Sequence, residues 1–403
     1  MKKFKLSPEA RKAVALGGLC SVAYLAMYVA KNILSAASPQ IEETGAFSVE
    51  LIGTLSSLYY ICYAFGQLIN GLIGDKVKSK YMISLGLMLG SAGFSLLPQL
   101  QGHNQYASIA YGTAGFFMAM IYAPMTKVVA ENTEPIYATR CSMGYTLASF
   151  LGSPTAGILA ATFAWQWAFR ISGAIMITMG GVCFLVFSLM ERKGVVKYGQ
   201  FKTQEKGVTG NIKALLKRRI VKFALIAVLD GVVRTTVVFW LPTYISQHLG
   251  FPSDTAAMIF TGATLCVSCS TFLAIFVYER LKRNMDLTIF LAYSCSALSF
   301  LMVFFVSQPV VNIAFMVLAI LSGNCASNML WSRYCPSLYD TGMVSSATGF
   351  LDFCSYMSAS AASKIFANAV GAIGWSMLIL VWCGLMFVGV AITIPIKKRQ
   401  NEI

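Results

Sequence analysis

Long apolar runs alternate with short polar stretches along the whole chain. A helix needs about 20 apolar residues to cross a hydrocarbon core. The runs predict crossings at 13–38, 49–73, 80–99, 106–130, 139–163, 169–190, 220–246, 255–278, 287–306, 309–332, 342–368 and 374–396. Helices suit that setting because they satisfy their own backbone hydrogen bonds, which lipid cannot do for them. The one long break, residues 191–219, carries Gly, Lys and Gln, as expected of a solvated connector. The pattern predicts an all-α membrane protein: twelve transmembrane helices in two six-helix bundles, 1–190 and 220–403, with 191–219 as the linker between them.

Composition agrees. Over 403 residues, 57% apolar and 12% charged, the mean hydropathy of +0.67 excludes an ordinary soluble domain. The net charge of +15 does not point to nucleic acid, because the basic residues fall between apolar runs rather than along one polar face. Of the 31 Lys and Arg, 26 fall on one predicted side: the N-terminus, the linker, the Lys397-Lys398-Arg399 end and alternate loops. The positive-inside rule makes that side the cytoplasm. The expectation is a multi-pass protein of the plasma (bacterial inner) membrane, monomeric, with the lipid bilayer around it, both termini cytoplasmic and no removed signal peptide.

The eleven Cys lie in or beside apolar runs, which argues against a disulfide framework. Cys266-Val-Ser-Cys269 falls inside a crossing and lacks the context of a metal site, so neither metal nor cofactor is expected. An enzyme is not expected either: there is no nucleophile elbow, no His-Glu-x-x-His and no phosphate-cradling Gly-rich loop.

The halves resemble each other. Lys31 stands eight residues before Pro39 and Arg234 eight before Pro242, and Asp75-Lys76 falls within one residue of Glu279-Arg280 at the same offset. Six crossings repeated as six is the sequence signature of a two-bundle transporter with a site near the midplane. An intramembrane cation costs about 3 kcal/mol or more, so Lys31 and Arg234 should face water and a partner, marking a path for an anion. Arg offers a planar fork and Lys a point charge. Asp230 precedes Arg234 by four residues and so shares its helix face. Asp352 lies four before Tyr356 in the eleventh crossing. Such acids could pair with the cations, take up a coupling proton, or meet a cationic group on a zwitterionic substrate. Tyrosines beside the cations could donate to substrate oxygens or anchor at the interface.

Gly71-Leu-Ile-Gly-Asp-Lys-Val-Lys-Ser-Lys80 resembles the loop signature of the major facilitator superfamily, with Gly71 admitting close helix approach and Asp75 as a gating contact. More narrowly, the chain resembles the organophosphate:phosphate antiporter family. The similarity rests on Tyr24-x-x-x-Tyr28-x-x-Lys31, Tyr63-x-x-x-Gln67-x-x-x-Gly71-x-x-x-Asp75, Ala123-Pro-Met-Thr-Lys127, Trp165-Gln-Trp-Ala-Phe-Arg170, Arg234 to Pro242, and Gly349-Phe350 with Tyr356 and Gly374-Trp375. The resemblance implies a major-facilitator fold and two basic residues on the substrate phosphate. By their spacing to proline these are Lys31 and Arg234, while alignment on the Lys-Asn pair would put Ala30 in the first position. It also implies substrate contacts from Tyr24, Tyr28, Tyr63 and Tyr356. Two departures stand out: Lys31 where the family has Arg, and Gln67 where one branch has Lys.

The expected function is a secondary carrier of a small anionic substrate, an organophosphate counter-transported against phosphate by alternating access. Two alternatives stay open. One is a proton- or sodium-coupled carrier of a carboxylate, sulfonate or zwitterion. The other is a transporter-like sensor of a phosphorylated metabolite.

Overall fold

In the computed structural model, residues 7–74, 77–198, 212–335, 337–338 and 344–394 are described, and all are helix or short turns. The helices are α1 (Pro8–Glu43), α2 (Val49–Gly74), α3 (Ser79–Leu96), α4 (Asn104–Met118), α5 (Tyr122–Asn132), α6 (Pro135–Thr162), α7 (Trp165–Arg192) and the short α8 (Ile212–Lys217). They continue with α9 (Ile220–Asp230), α10 (Val238–Gln247), α11 (Ser253–Ser268), α12 (Ser270–Arg280), α13 (Met285–Phe305), α14 (Pro309–Met329) and α15 (Val344–Thr393). Several crossings are built from two pieces. α4 runs on into α5, and α11 into α12. α9 joins α10 through a π-helical turn, Gly231–Val237, and α14 ends in a second, Leu330–Tyr334. α15 is two crossings joined at Gly374, whose φ of 74° no side-chain-bearing residue adopts readily. Counted this way the described residues form the twelve crossings of the sequence reading, and their ends fall within a few residues of the expected ones.

Local chemistry sets the helix starts. Ser7 caps α1 by accepting from the amide of Ala10 at 3.1 Å, with Pro8 in the first turn, where its missing N–H costs nothing, and Glu9 beside it. Asn284 caps α13 and Gln308 caps α14 in the same way. Among the described helices nine are long and apolar enough to span a bilayer. Their enclosure differs: 67% of the most apolar window of Ile220–Gln247 is buried and 56% of that of α1, against 28% for α7. Ile220–Gln247 is thus the most enclosed of the nine, α3 (61%) exceeds α1, and α7 turns most of its surface, including Ile177, Leu185 and Leu189, outward as a lipid-facing side should.

Two compact units are formed, Met1–Gly207 with Leu241–Thr264, and Val208–Trp240 with Leu265–Ile403. In the first, α1 pairs with α6, α2 with α4 and α3 with α7. In the second, α9 pairs with α15, α12 with α14 and α13 with both α14 and α15. The second-with-fourth pairing of the first half recurs in the second as α12 with α14, while α15, which holds the last two crossings, packs on both α9 and α13. Leu241–Thr264 packs with the first unit: the hydroxyls of Ser38 and Thr243 meet at 2.6 Å, Gln247 donates to Glu42, and Thr261 donates to the carbonyl of Pro154.

Acidic residues tie helix ends together. Glu191 at the end of α7 accepts from Lys78 at 2.7 Å and from Lys80, at the start of α3, at 2.6 Å. Asp286 in the first turn of α13 holds Arg219 at 2.9 Å and Lys222, in α9, at 3.1 Å.

Candidate functional site

In the first unit, Tyr24, Tyr28 and Lys31 recur at four and three residues along α1, so they share one face. α2 presents Tyr59 and Tyr63 one turn apart, their rings stacked at 6.0 Å between centroids. The ammonium of Lys31 lies 5.3 Å from the centre of the Tyr28 ring and 4.9 Å from that of Tyr63, inside cation–π range of both. Tyr24 donates its hydroxyl to that of Tyr28 at 3.4 Å and sets its ring against Tyr122 and Tyr145. The result is a half-buried cation among aromatic rings, on a wall of phenolic oxygens.

The backbone explains why α1 is placed so. Gly152 of α6 faces Tyr28 so closely that an added Cβ would overlap its side chain and backbone, and α6 can approach α1 there only without a side chain. Asn32 donates to the carbonyl of Tyr28 at 2.7 Å, holding the turn that carries the Tyr28–Lys31 pair. Ala30 is fully buried, whereas Lys31 is only partly so. Gln67 lies one turn past Tyr63 on α2, half-buried, and Gly71 one turn further on the same helix. Asp75 lies outside the described residues.

In the second unit, Arg234 sits within the π-helical turn, one turn past Asp230. Asp230 is 1% exposed, yet carries a carboxylate. Its Oδ2 accepts from the indole N–H of Trp331 at 3.2 Å and from the Ser355 hydroxyl at 3.0 Å. Its Oδ1 lies 3.3 Å from Arg234 Nε but has no hydrogen bond of good direction, so the contact is an ion pair by proximity. Desolvating a carboxylate costs several kcal/mol unless its lone pairs are met. Here two neutral donors meet those of Oδ2 and Oδ1 has the nearby cation alone, and the acid is more enclosed than the base: 39% of the Arg234 side chain remains exposed and 0% of the Asp230 side chain.

Two π-helical turns serve this one acid, the first presenting Arg234 and the second Trp331. Such turns shift every later side chain around the helix and recur at functional sites. Thr236 stabilises the first by donating to the carbonyls of Gly231 and Ala359, each at 3.2 Å. Gly231 lies so close to the Ser355 carbonyl that a Cβ there would overlap it, which brings α9 and α15 near enough for Ser355 to reach Asp230. Tyr356, 7% exposed, follows Ser355 directly, and Asp352 is half-buried one turn earlier on α15.

The structure thus assembles Tyr24, Tyr28, Lys31 and Tyr63 in one unit and Asp230 with Arg234 in the other. Trp331 and Ser355 were not anticipated; they lie 101 and 125 residues from Asp230, and neither carries a signal that separates it from packing. The arrangement can stabilise negative charge and present hydroxyl donors, and holds no nucleophile-and-base pair.

Twelve crossings among the described residues, with a buried acid beside a partly open cation in the seventh, define a polytopic helical membrane protein. The chain belongs to the Major Facilitator Superfamily, whose profile matches residues 20–363. It is 23% identical over 386 residues to the phosphoglycerate transporter protein of Salmonella typhimurium, covering 87% of this chain and 82% of that one. It is 21% identical over 255 residues to the membrane sensor protein UhpC of the same organism, covering 58% of this chain. The match spans little more than half of that relative, 57% of its length. To the galacturonate transporter of Dickeya chrysanthemi it is 23% identical over 261 residues, covering 60% of this chain and 74% of the relative. The fold matches a bacterial homolog of the human lysosomal transporter Spinster in its inward-facing, unoccupied conformation. The TM-score is 0.77 at 12% identity, over 96% of this chain and 97% of the other.

Proposed function

We propose that this protein is a secondary active transporter of a small organic anion, an organophosphate of the sugar- or polyol-phosphate kind exchanged for inorganic phosphate by alternating access. The observation that carries the reading is the Asp230–Arg234 pair: a guanidinium, partly open, beside a carboxylate held in place by Trp331 and Ser355. An incoming anion competes with Asp230 for Arg234. A site whose cation is already compensated when empty tolerates exchange of one anion for another, and occupancy then biases which closure is stable. Lys31, on the first crossing of the other sequence half, supplies the second positive charge, with Tyr28 and Tyr63 orienting it and Tyr24 and Tyr356 adding hydroxyl donors. Gln67 is a further polar contact, and Gly71 and Asp75 gate the movement. In this reading the sequence halves 1–190 and 220–403, joined by 191–219, are the two domains of a monomeric plasma-membrane protein with both termini cytoplasmic. The names of the phosphoglycerate transporter relative and of the glycerol-3-phosphate transporter of Bacillus subtilis support the substrate class.

Exchange of labelled phosphate in proteoliposomes tests this. Wild type exchanges phosphate and is inhibited by phosphate esters, while Arg234→Ala and Lys31→Ala each lose more than about 90% of the flux, as removal of a charge-assisted contact of ~1.5–3 kcal/mol implies. Absence of phosphate exchange, with no competition by any phosphate ester, refutes it. A second reading, a proton-coupled carrier of a carboxylate, is favoured by Asp352 and by the galacturonate transporter among the relatives. It predicts that Asp352→Asn binds substrate and loses proton flux. A third, a membrane sensor as UhpC is named, predicts tight binding without flux.

A further inference from the structure

The polar side chains of the second unit do not stop at the charge pair. Along α14 and its π-helical end, Asn324, Asn328 and Trp331 recur at four and three residues, on one face. Trp331 closes the row by donating to Asp230. Asn328 is engaged from α12: the Thr271 hydroxyl donates to its Oδ1 at 3.1 Å, and its Nδ2 donates to the Ser270 hydroxyl at 3.1 Å. Asn324 is different. It is 7% exposed, and its Oδ1 is buried with no hydrogen-bond partner.

An amide oxygen cut off from water and left unpaired costs about 1–3 kcal/mol, and a crossing helix could remove that cost with Leu or Ala. Asn324 Oδ1 is one of twelve such buried, unpaired atoms among the described residues, and it is singled out by the row it shares with Asn328 and Trp331. Here the orphan is an acceptor, which calls for a donor. At 1.5 Å per residue, Asn324 lies about 10 Å along the helix from Trp331, the level at which Asp230 holds Arg234. A hydroxyl of a sugar or polyol both donates and accepts. It would satisfy Asn324 while an anionic group on the same molecule, several carbons away, engages Arg234.

We infer that Asn324 is a hydroxyl-recognising subsite, continued by Asn328, Thr271 and Ser270, which selects a polyhydroxylated anion of about pentose or hexose length over a compact one. This rests on the reading of the chain as an anion carrier and deepens it. A site whose buried acceptor stays unpaired with the wrong ligand discriminates well, because the penalty falls on that ligand alone.

The test uses the purified full chain in proteoliposomes, with glucose 6-phosphate, glycerol 3-phosphate and inorganic phosphate as competing probes. Wild type is expected to be half-inhibited by the hexose phosphate at a concentration at least about tenfold below that for glycerol 3-phosphate, the factor that one hydrogen bond of ~1.4 kcal/mol supplies. Asn324→Leu should raise the hexose phosphate value about tenfold and leave that for inorganic phosphate within about twofold, while melting no lower than wild type, since an orphan has been removed. A purely packing role would shift all three probes together and lower the melting temperature, and that result overturns the inference. So does a wild type that prefers the three-carbon probe, a comparison that needs no variant to fold. Phosphate exchange with no size preference overturns the subsite alone; failure of every anion to bind overturns the carrier reading with it.

Discussion

The sharpest check on the charge pair is a double-mutant cycle over Arg234→Ala and Asp230→Asn. At an effective dielectric of about 20, two unit charges about 4 Å apart attract by about 4 kcal/mol. The base is 39% exposed and the acid 0% by side chain, so solvent screens one end of the pair, and about half of that, about 2 kcal/mol, is expected to survive. Arg234→Ala alone then leaves a desolvated carboxylate with only Trp331 and Ser355 for company, and destabilises by about 3 kcal/mol, in the range for breaking a buried pair. Asp230→Asn alone costs less, because the partly open guanidinium can turn to water. The double variant should regain most of the loss, giving a coupling of about 2 kcal/mol by equilibrium unfolding in mixed detergent micelles. A coupling under about 0.5 kcal/mol, the level expected of independent sites, would refute the reasoning. It would mean that the two neutral donors satisfy Asp230 unaided, and an arriving anion would have no internal competitor to displace.

Two further outcomes follow from the packing. Glu191→Ala should destabilise by about 1–3 kcal/mol because it leaves the Lys80 side chain, 9% exposed, without its carboxylate, whereas Lys78→Ala, at a side chain 50% exposed, should lower the melting temperature much less; equal melting temperatures for the two would show that burial does not set the difference. Gly231→Ala should cost about 1–3 kcal/mol by overpacking against the Ser355 carbonyl, and because it pushes α15 away from Asp230 it should also lower phosphate exchange; a variant that folds and exchanges like wild type would show that the close approach is not needed.

The crossings were legible because a membrane span is a local property: some twenty apolar residues between charged ends declare themselves wherever the helix later packs. Lys31 and Arg234 stood out for the same reason, since a charge inside such a run is conspicuous. So did the neighbours they meet at helical spacing, Tyr28 for one and Asp230 for the other. Trp331 and Ser355 did not stand out. Each is an ordinary residue within a crossing, and its role depends on the register of α14 and α15 against α9, set by contacts such as Gly231 on Ser355. The π-helical turns were equally hidden, because one extra residue in a turn leaves hydrophobic periodicity almost unchanged over so short a stretch. Asn324 shows only as one more amide until its oxygen is seen to lack a partner.

The two helices that carry the cations differ along their length. α1 is α-helical through 36 residues, about 54 Å at the usual rise, with Lys31 in its interior and Pro39 two turns beyond it. The corresponding crossing of the second half is interrupted by a π-helical turn where Arg234 sits, a feature at which helices bend. The two cations thus sit on helices of unlike build, one α-helical throughout and the other interrupted by a π-helical turn, and bending of the second is expected to fall at Arg234.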